Sequence, residues 1–94
     1  MYQLQISSAA RNDLADAFLW YDKQQKGLGN EFLQEAFLTF DAIENNPFVF
    51  AVRFSGKFHF GKINRFPYLA VYETFDDKII INAVFHTSRN PSRF

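Results

Sequence analysis

The stretch FLQEAFLTFDAIENNPFVFAVRFSGKFHF, residues 32–60, changes its hydrophobic period in the middle. Before Pro47, Phe32, Leu33, Ala36, Phe37, Phe40 and Ile43 recur at helical spacing, which makes one face of a helix apolar. After Pro47 the period falls to two, with Phe58 and Phe60 alternating against Lys57 and His59 as in a half-buried strand. Asn45-Asn46-Pro47 marks the change, because a residue that precedes proline is pushed out of the helical region. Helices before this point and strands after it define a two-layer α+β domain.

Reading towards the N-terminus, Ala10, Leu14, Ala17, Phe18 and Tyr21 form a second helical stripe. Ser7 or Ser8 is expected to cap its start, and Gly27 to end it in the left-handed conformation. Asn30 then caps the helix that contains Phe32, and Glu31 favours its positive end. Gly27-Leu28-Gly29 is so short a link that the two helices must lie antiparallel. Before them, Tyr2, Leu4 and Ile6 alternate with Gln3 and Gln5 as a short strand.

Reading towards the C-terminus, Phe48 to Phe54 is expected to be extended, with a turn at Ser55-Gly56. Strands follow at Lys57–Ile63, Tyr68–Phe75 and Ile79–His86, with turns at 64–67 and 76–78 and an irregular tail after His86. The expected plan is β-α-α-β-β-β over residues 1–94 as one domain, its helical hairpin on one face of a mostly antiparallel sheet. Phe58, Phe60, Leu69 and Val71 are expected to face the helices, and Phe37 and Phe40 to enter the core. The open face then carries Lys57, His59, Tyr68 and Tyr72, with Asn82 and His86 nearby.

Composition agrees with such a domain. A chain of 94 residues buries only about 60–65% of its unfolded surface, so it needs a dense core. Hydrophobic residues at 48% and thirteen phenylalanines supply one, and exclude a disordered chain. The absence of cysteine excludes disulfides, thiolate metal sites and cysteine nucleophiles. His59 and His86 lack metal-ligand spacing, and no motif for a cofactor is present. No apolar run approaches the roughly 18 residues of a membrane span, and the start has no signal-peptide pattern. A cytoplasmic, soluble protein is the expectation.

The net charge of zero hides an asymmetry. Met1–Pro47 holds three basic and seven acidic residues, −4, and Phe48–Phe94 holds seven basic and three acidic, +4. Between Phe48 and Pro67 the cations Arg53, Lys57, Lys62 and Arg65 interleave with Phe54, Phe58, Phe60 and Phe66, and no acid is present. Cations and rings together suit single-stranded nucleic acid, while the same pattern also describes the wet side of an alternating strand. His86 has the pKa range of a general base, and Arg65 and Arg89 carry the charge that stabilises a phosphorane. Tyr68 and Tyr72 are candidates to position a base. Equally, His86 at a strand end can simply bond a backbone carbonyl. Leu19 and Trp20 lie off the main stripe of the first helix, either packed on neighbouring chain or forming a partner patch.

Several segments in order carry a family likeness: Ala10-Arg11-Asn12-Asp13-Leu14, Trp20-Tyr21, Gly27-Leu28-Gly29, Phe32-Leu33, Ile43-Glu44-Asn45-Asn46-Pro47, Phe66-Pro67-Tyr68 and His86-Thr87-Ser88-Arg89-Asn90-Pro91. Over nearly the whole chain this resembles the RelE/ParE superfamily of type II toxin–antitoxin toxins. The resemblance implies a bacterial cytoplasmic toxin, inhibitory when free, neutralised by an antitoxin whose C-terminal segment wraps over it. One branch of the superfamily cleaves mRNA in the ribosome without a metal, and the other poisons DNA gyrase. If the protein cleaves RNA, Arg65, His86 and Arg89 are the expected catalytic residues, because they could converge where the start of the strand at Tyr68 adjoins the end of the strand at His86. Arg53, Lys57, His59, Lys62, Tyr68 and Tyr72 would then bind RNA or a partner, and Leu19 and Trp20 would form a hairpin patch. Tyr68–Tyr72 lacks the arginine frequent in the third strand of the cleaving branch, and His59-Phe60 stands where that branch often has a basic pair. The hairpin with Trp20-Tyr21 and Gly27-Leu28-Gly29 is closer to the gyrase-poisoning branch. A toxin that only pairs with its antitoxin is a third alternative.

Overall fold

The computed structural model describes residues 2–53 and 56–88, with Arg53 described in its backbone only. Strand β1 (Gln3–Ile6) leads into helices α1 (Ser8–Gln24) and α2 (Leu28–Asn45). Strands β2 (Val52–Arg53), β3 (Phe58–Lys62), β4 (Tyr68–Phe75) and β5 (Lys78–His86) follow. They form one sheet in the order β1-β5-β4-β3-β2, parallel only between β1 and β5. The α+β architecture and the antiparallel hairpin agree with the sequence.

Ser7 caps α1, its hydroxyl accepting from the Ala10 amide at 3.1 Å. The end of α1 differs from expectation. Gln25 is its C-cap, and Gly27 (φ 93) instead begins α2, three residues before Asn30. The reason is Asp22: its Oδ1 accepts from the amides of Gly27 at 2.9 Å and Gly29 at 3.3 Å, taking two donors that a helix start leaves free. Gly29 also sits where a Cβ would lie 2.6 Å from the Phe18 ring and 2.7 Å from the Phe18 carbonyl oxygen. Only glycine lets the helices approach this closely.

The core between hairpin and sheet holds Ala10, Leu14, Ala17 and Tyr21 of α1, Phe32, Ala36, Phe40 and Ile43 of α2, and Ile79, Ile81 and Val84 of β5. Phe37 is not among them and remains 46% exposed. At about 100° per residue, Ile43, Ala36 and Phe40 fall within about 80° of Phe32, while Phe37 is about 140° away. The apolar stripe of α2 is wider than the face the sheet covers.

The faces of the sheet are the reverse of those expected. Ala70 and Tyr72 lie in the core beneath the helices, with Tyr68 beside them. Phe58, Phe60 and Leu69 pack with Val71, Ala83 and Phe85 in a second cluster away from the helices. A strand with large side chains at successive positions has no polar face to set its phase. The phase comes instead from β5, against which Tyr68 pairs with His86 and Ala70 with Val84. Pairing with β1 ends at Ile6 opposite Ile81, and beyond it Asp13 Oδ2 of α1 accepts from the Val84 amide at 2.9 Å.

The segment after Pro47 also departs from the expected extended run. Asn46 accepts from the Phe48 amide through Oδ1 and from the Val49 amide through its carbonyl, which curls residues 47–50 and leaves β2 only two residues. Phe54 lies outside the described residues. Replacing Phe40 by Ala should cost about 3–5 kcal/mol, and replacing Phe37 less than about 1 kcal/mol. Denaturant unfolding of both variants checks the helix phase.

Candidate functional site

The rings expected on the open face point inward and hold a loop in place. His59 is 3% exposed and stacks on Tyr72 at 4.7 Å between centroids, with 11° between the planes. Its Nδ1 donates to the Phe50 carbonyl at 2.7 Å, and the Phe48 ring meets it edge-on. The Tyr72 hydroxyl donates to the Pro47 carbonyl at 2.8 Å. Burial pushes the Tyr72 pKa up to about 12, with the Phe50 backbone pulling the other way. Together His59 and Tyr72 latch the connector between α2 and β2. Tyr68 packs against Tyr21 and Phe32 and meets His86 edge-on at 5.3 Å. The half-buried His86 accepts from the Ser88 amide through Nδ1 at 3.1 Å.

The cations are tied as well. Lys62 Nζ donates to the carbonyls of Ile63 at 2.7 Å and Phe66 at 2.6 Å, bridging the β3–β4 turn. Arg65 (φ 72) reaches α2, 2.7 Å from Glu31 and 3.5 Å from Glu35. The Glu31 hydrogen bond raises its pKa above the ordinary arginine value. Lys57 lies 3.7 Å from Glu73 and 5.3 Å from the Phe58 ring centroid. The end of β5 does adjoin the start of β4, since the Thr87 amide donates to the Pro67 carbonyl at 2.8 Å. Arg65, however, turns its guanidinium to the helix. The Arg53 side chain and all of Arg89 lie outside the described residues. Among the described residues no group of three His, Cys, Asp or Glu side chains comes together to hold a metal.

The hairpin exposes several large apolar side chains. Leu19 is 59% exposed, Trp20 44%, Phe37 46% and Leu38 61%. Ile6, Arg11, Leu14, Ala15, Phe18, Leu19, Asn30, Leu33 and Phe37 line a groove of about 530 Å³ between the helices. A second depression of about 420 Å³ lies on the far flank of α2, against Gln34, Phe37, Leu38 and Asp41. The expected Leu19 borders the first groove, and Trp20 stands beside it over the Tyr21 ring. Sequence reasoning missed Arg11, Phe37, Leu38 and Asp41. The signal was there: Phe37 and Leu38 are adjacent, so a helix cannot turn both to the same core as Phe32 and Ile43. No helix is long and apolar enough to cross a membrane among the described residues.

Residues 4–91 match the family model described as the ParE toxin of the type II toxin–antitoxin system parDE. Among solved structures, a chain of the chromosomal ParDE toxin–antitoxin system from P. aeruginosa is similar over 94% of this chain and 98% of that one, with a TM-score of 0.83 and 14% identity. At that identity the likeness speaks for the fold alone. No curated relative matches the chain.

The latch has a pH signature. Because the folded state holds the Tyr72 proton beyond the ordinary pKa of 10.0, stability is full below pH 10 and is lost as pH rises towards 12. Over that range the parent should lose about 2–3 kcal/mol more than Tyr72→Phe, as read by urea unfolding at each pH. Equal losses would show that the buried hydroxyl does not titrate separately from the rest of the chain.

Proposed function

Because the chain belongs to the ParE toxin family of type II toxin–antitoxin systems, we propose that it inhibits growth by binding a protein target, DNA gyrase, without cleaving RNA, and that a cognate antitoxin neutralises it. The observation that carries this reading is where the candidate nuclease groups lie. Cutting a phosphodiester requires a base beside the attacking hydroxyl and cations aimed at the charge that develops on the phosphate. His59 and Tyr72 are buried and occupied with the carbonyls of Phe50 and Pro47. Lys62 and Arg65 are engaged by turn carbonyls and by the acids of α2. On the sheet face away from the helices, Val71, Ala83 and Phe85 are buried and Phe58, Phe60 and Leu69 pack partly buried against them, a cluster of apolar side chains and not of cations.

The antitoxin reading draws on the exposed apolar hairpin. Leu19, Trp20, Phe37 and Leu38 form a patch of the kind that partner segments cover. The acidic N-terminal half and basic C-terminal half also favour a partner with charges of both signs.

Expression of the chain without antitoxin tests the target. Filamentation with DNA damage signalling, and DNA breaks held by gyrase in a purified assay, are the expected results. The double variant His86→Ala, Arg89→Ala should remain growth-inhibitory. Rapid translation arrest, with mRNA cuts on ribosomes from the parent protein but not from the double variant, would replace this reading with the ribosome-dependent nuclease.

A further inference from the structure

The strand order puts β1 at one edge of the sheet and β2 at the other. β2 has only two residues and offers little to pair with. β1 is the more exposed risk: residues 2–7, YQLQIS, alternate and contain no charge, proline or glycine, the composition of segments that pair with copies of themselves. Its inner side is used, since the amides of Gln3 and Ser7 donate to the carbonyls of Asp77 and Ile81 at 2.9 and 3.0 Å. Backbone groups alternate in direction along a strand, so those of Leu4 and Ile6 turn outward. A charged side chain from each helix takes one of them. Glu44, in the last turn of α2, accepts from the Leu4 amide through Oε2 at 3.2 Å. Arg11, in the first turn of α1, donates from Nε to the Ile6 carbonyl at 3.2 Å. Neither Arg11 nor Glu44 takes part in an ion pair among the described residues.

We propose that Arg11 and Glu44 guard this edge, and that the partner they exclude is β1 of a second copy of the chain. Two copies that meet antiparallel about a two-fold axis at Gln5 set Leu4 opposite the partner's Ile6, and Ile6 opposite the partner's Leu4. All four residues turn their backbone groups to the seam, so each pair can exchange two hydrogen bonds. In one of the two, the Leu4 amide donates to the partner's Ile6 carbonyl. Glu44 holds that donor and Arg11 holds that acceptor, so the guards block the same bond from its two ends. The arrangement is self-complementary, as a two-fold contact between identical chains requires. An incoming strand must displace two charges and leave them against its own backbone, where they lose water. The proposal concerns the state of the free chain and stands apart from the toxin reading.

The test compares the parent, the double variant Arg11→Ala, Glu44→Ala, and the double variant with Gln5→Lys added, each by sedimentation over a concentration series. The parent should remain a monomer. The mass of the double variant should rise about twofold with concentration, as mass action requires of a dimer. Gln5 is exposed, and Gln5→Lys places two like charges directly opposite each other across the two-fold axis. It should return the double variant to a monomer. Hydrogen exchange of the Ile6 amide should slow about tenfold in the dimer and not in the parent. Should the double variant lose its helical circular dichroism, the single variants Arg11→Gln and Glu44→Gln, which keep side-chain length, carry the same comparison.

Variants that keep their fold and stay monomeric at every concentration overturn the proposal. Association that Gln5→Lys leaves unchanged overturns it as well, since another surface is then responsible. A parent that already dimerises, and is made monomeric by Gln5→Lys, shows an edge without guards and overturns it too.

Discussion

The contact between Gly29 and Phe18 governs the geometry of everything above the sheet. With a Cβ at position 29 blocked by both the ring and the carbonyl of Phe18, the helices cross at a separation that only glycine permits. Asp22 holds that crossing by accepting from Gly27 and Gly29, so the link is tied to α1 and not merely short. The spacing set there carries along the hairpin. It fixes how far Phe32, Ala36 and Phe40 reach down towards the sheet, and how wide the groove above them stays. A wider crossing would open the core beneath, and a narrower one would close the groove that Leu33 and Phe37 line.

The sheet is tied to the hairpin by polar contacts as well as by packing. Asp13 accepts from the Val84 amide, which lies beyond the last residue of β5 that pairs with β1. Arg65 joins the β3–β4 turn to Glu31 and Glu35. Tyr72 and His59 fasten the connector that leaves α2. These contacts use up side chains whose residue types suggest chemistry. Histidine, tyrosine and arginine are residue types that invite a catalytic reading, yet each of these three has a structural duty that its position in the fold accounts for.

How much of this was legible in the sequence depended on whether a local signal existed. Both helices and the three longer strands after Pro47 were, because Pro47 separates two periods and Ser7 is an ordinary cap, whereas the curl at 47–50 was not. The antiparallel hairpin followed from a link too short for anything else. The phase of the strands was not legible. Large side chains stand at 58, 59 and 60 and again at 68, 69, 71 and 72, so alternation alone cannot say which set is inward, and the answer lies in pairing with β5, distant in sequence. The duty of Asp22 was hidden for a similar reason, since its partners are amides that become free only once α2 begins. For the candidate site, Leu19 and Trp20 stood out as misplaced apolar residues. Arg11 and Asp41 did not, because a surface charge gains meaning only when its neighbours in space are known.

The parallel pairing of β1 with β5 has a consequence for the order of events in synthesis. Gln3 faces Lys78 and Ile6 faces Ile81, so the first strand made must wait for the last. Until then Leu4 and Ile6 lack the strand that seats them, and α1 lacks Ile79, Ile81 and the amide that Asp13 accepts. Contacts between such distant residues form late, because the intervening loop must close first. A nascent chain can therefore make its hairpin early but cannot complete the domain until β5 has emerged. Truncation before β5 leaves no smaller version of this fold to persist.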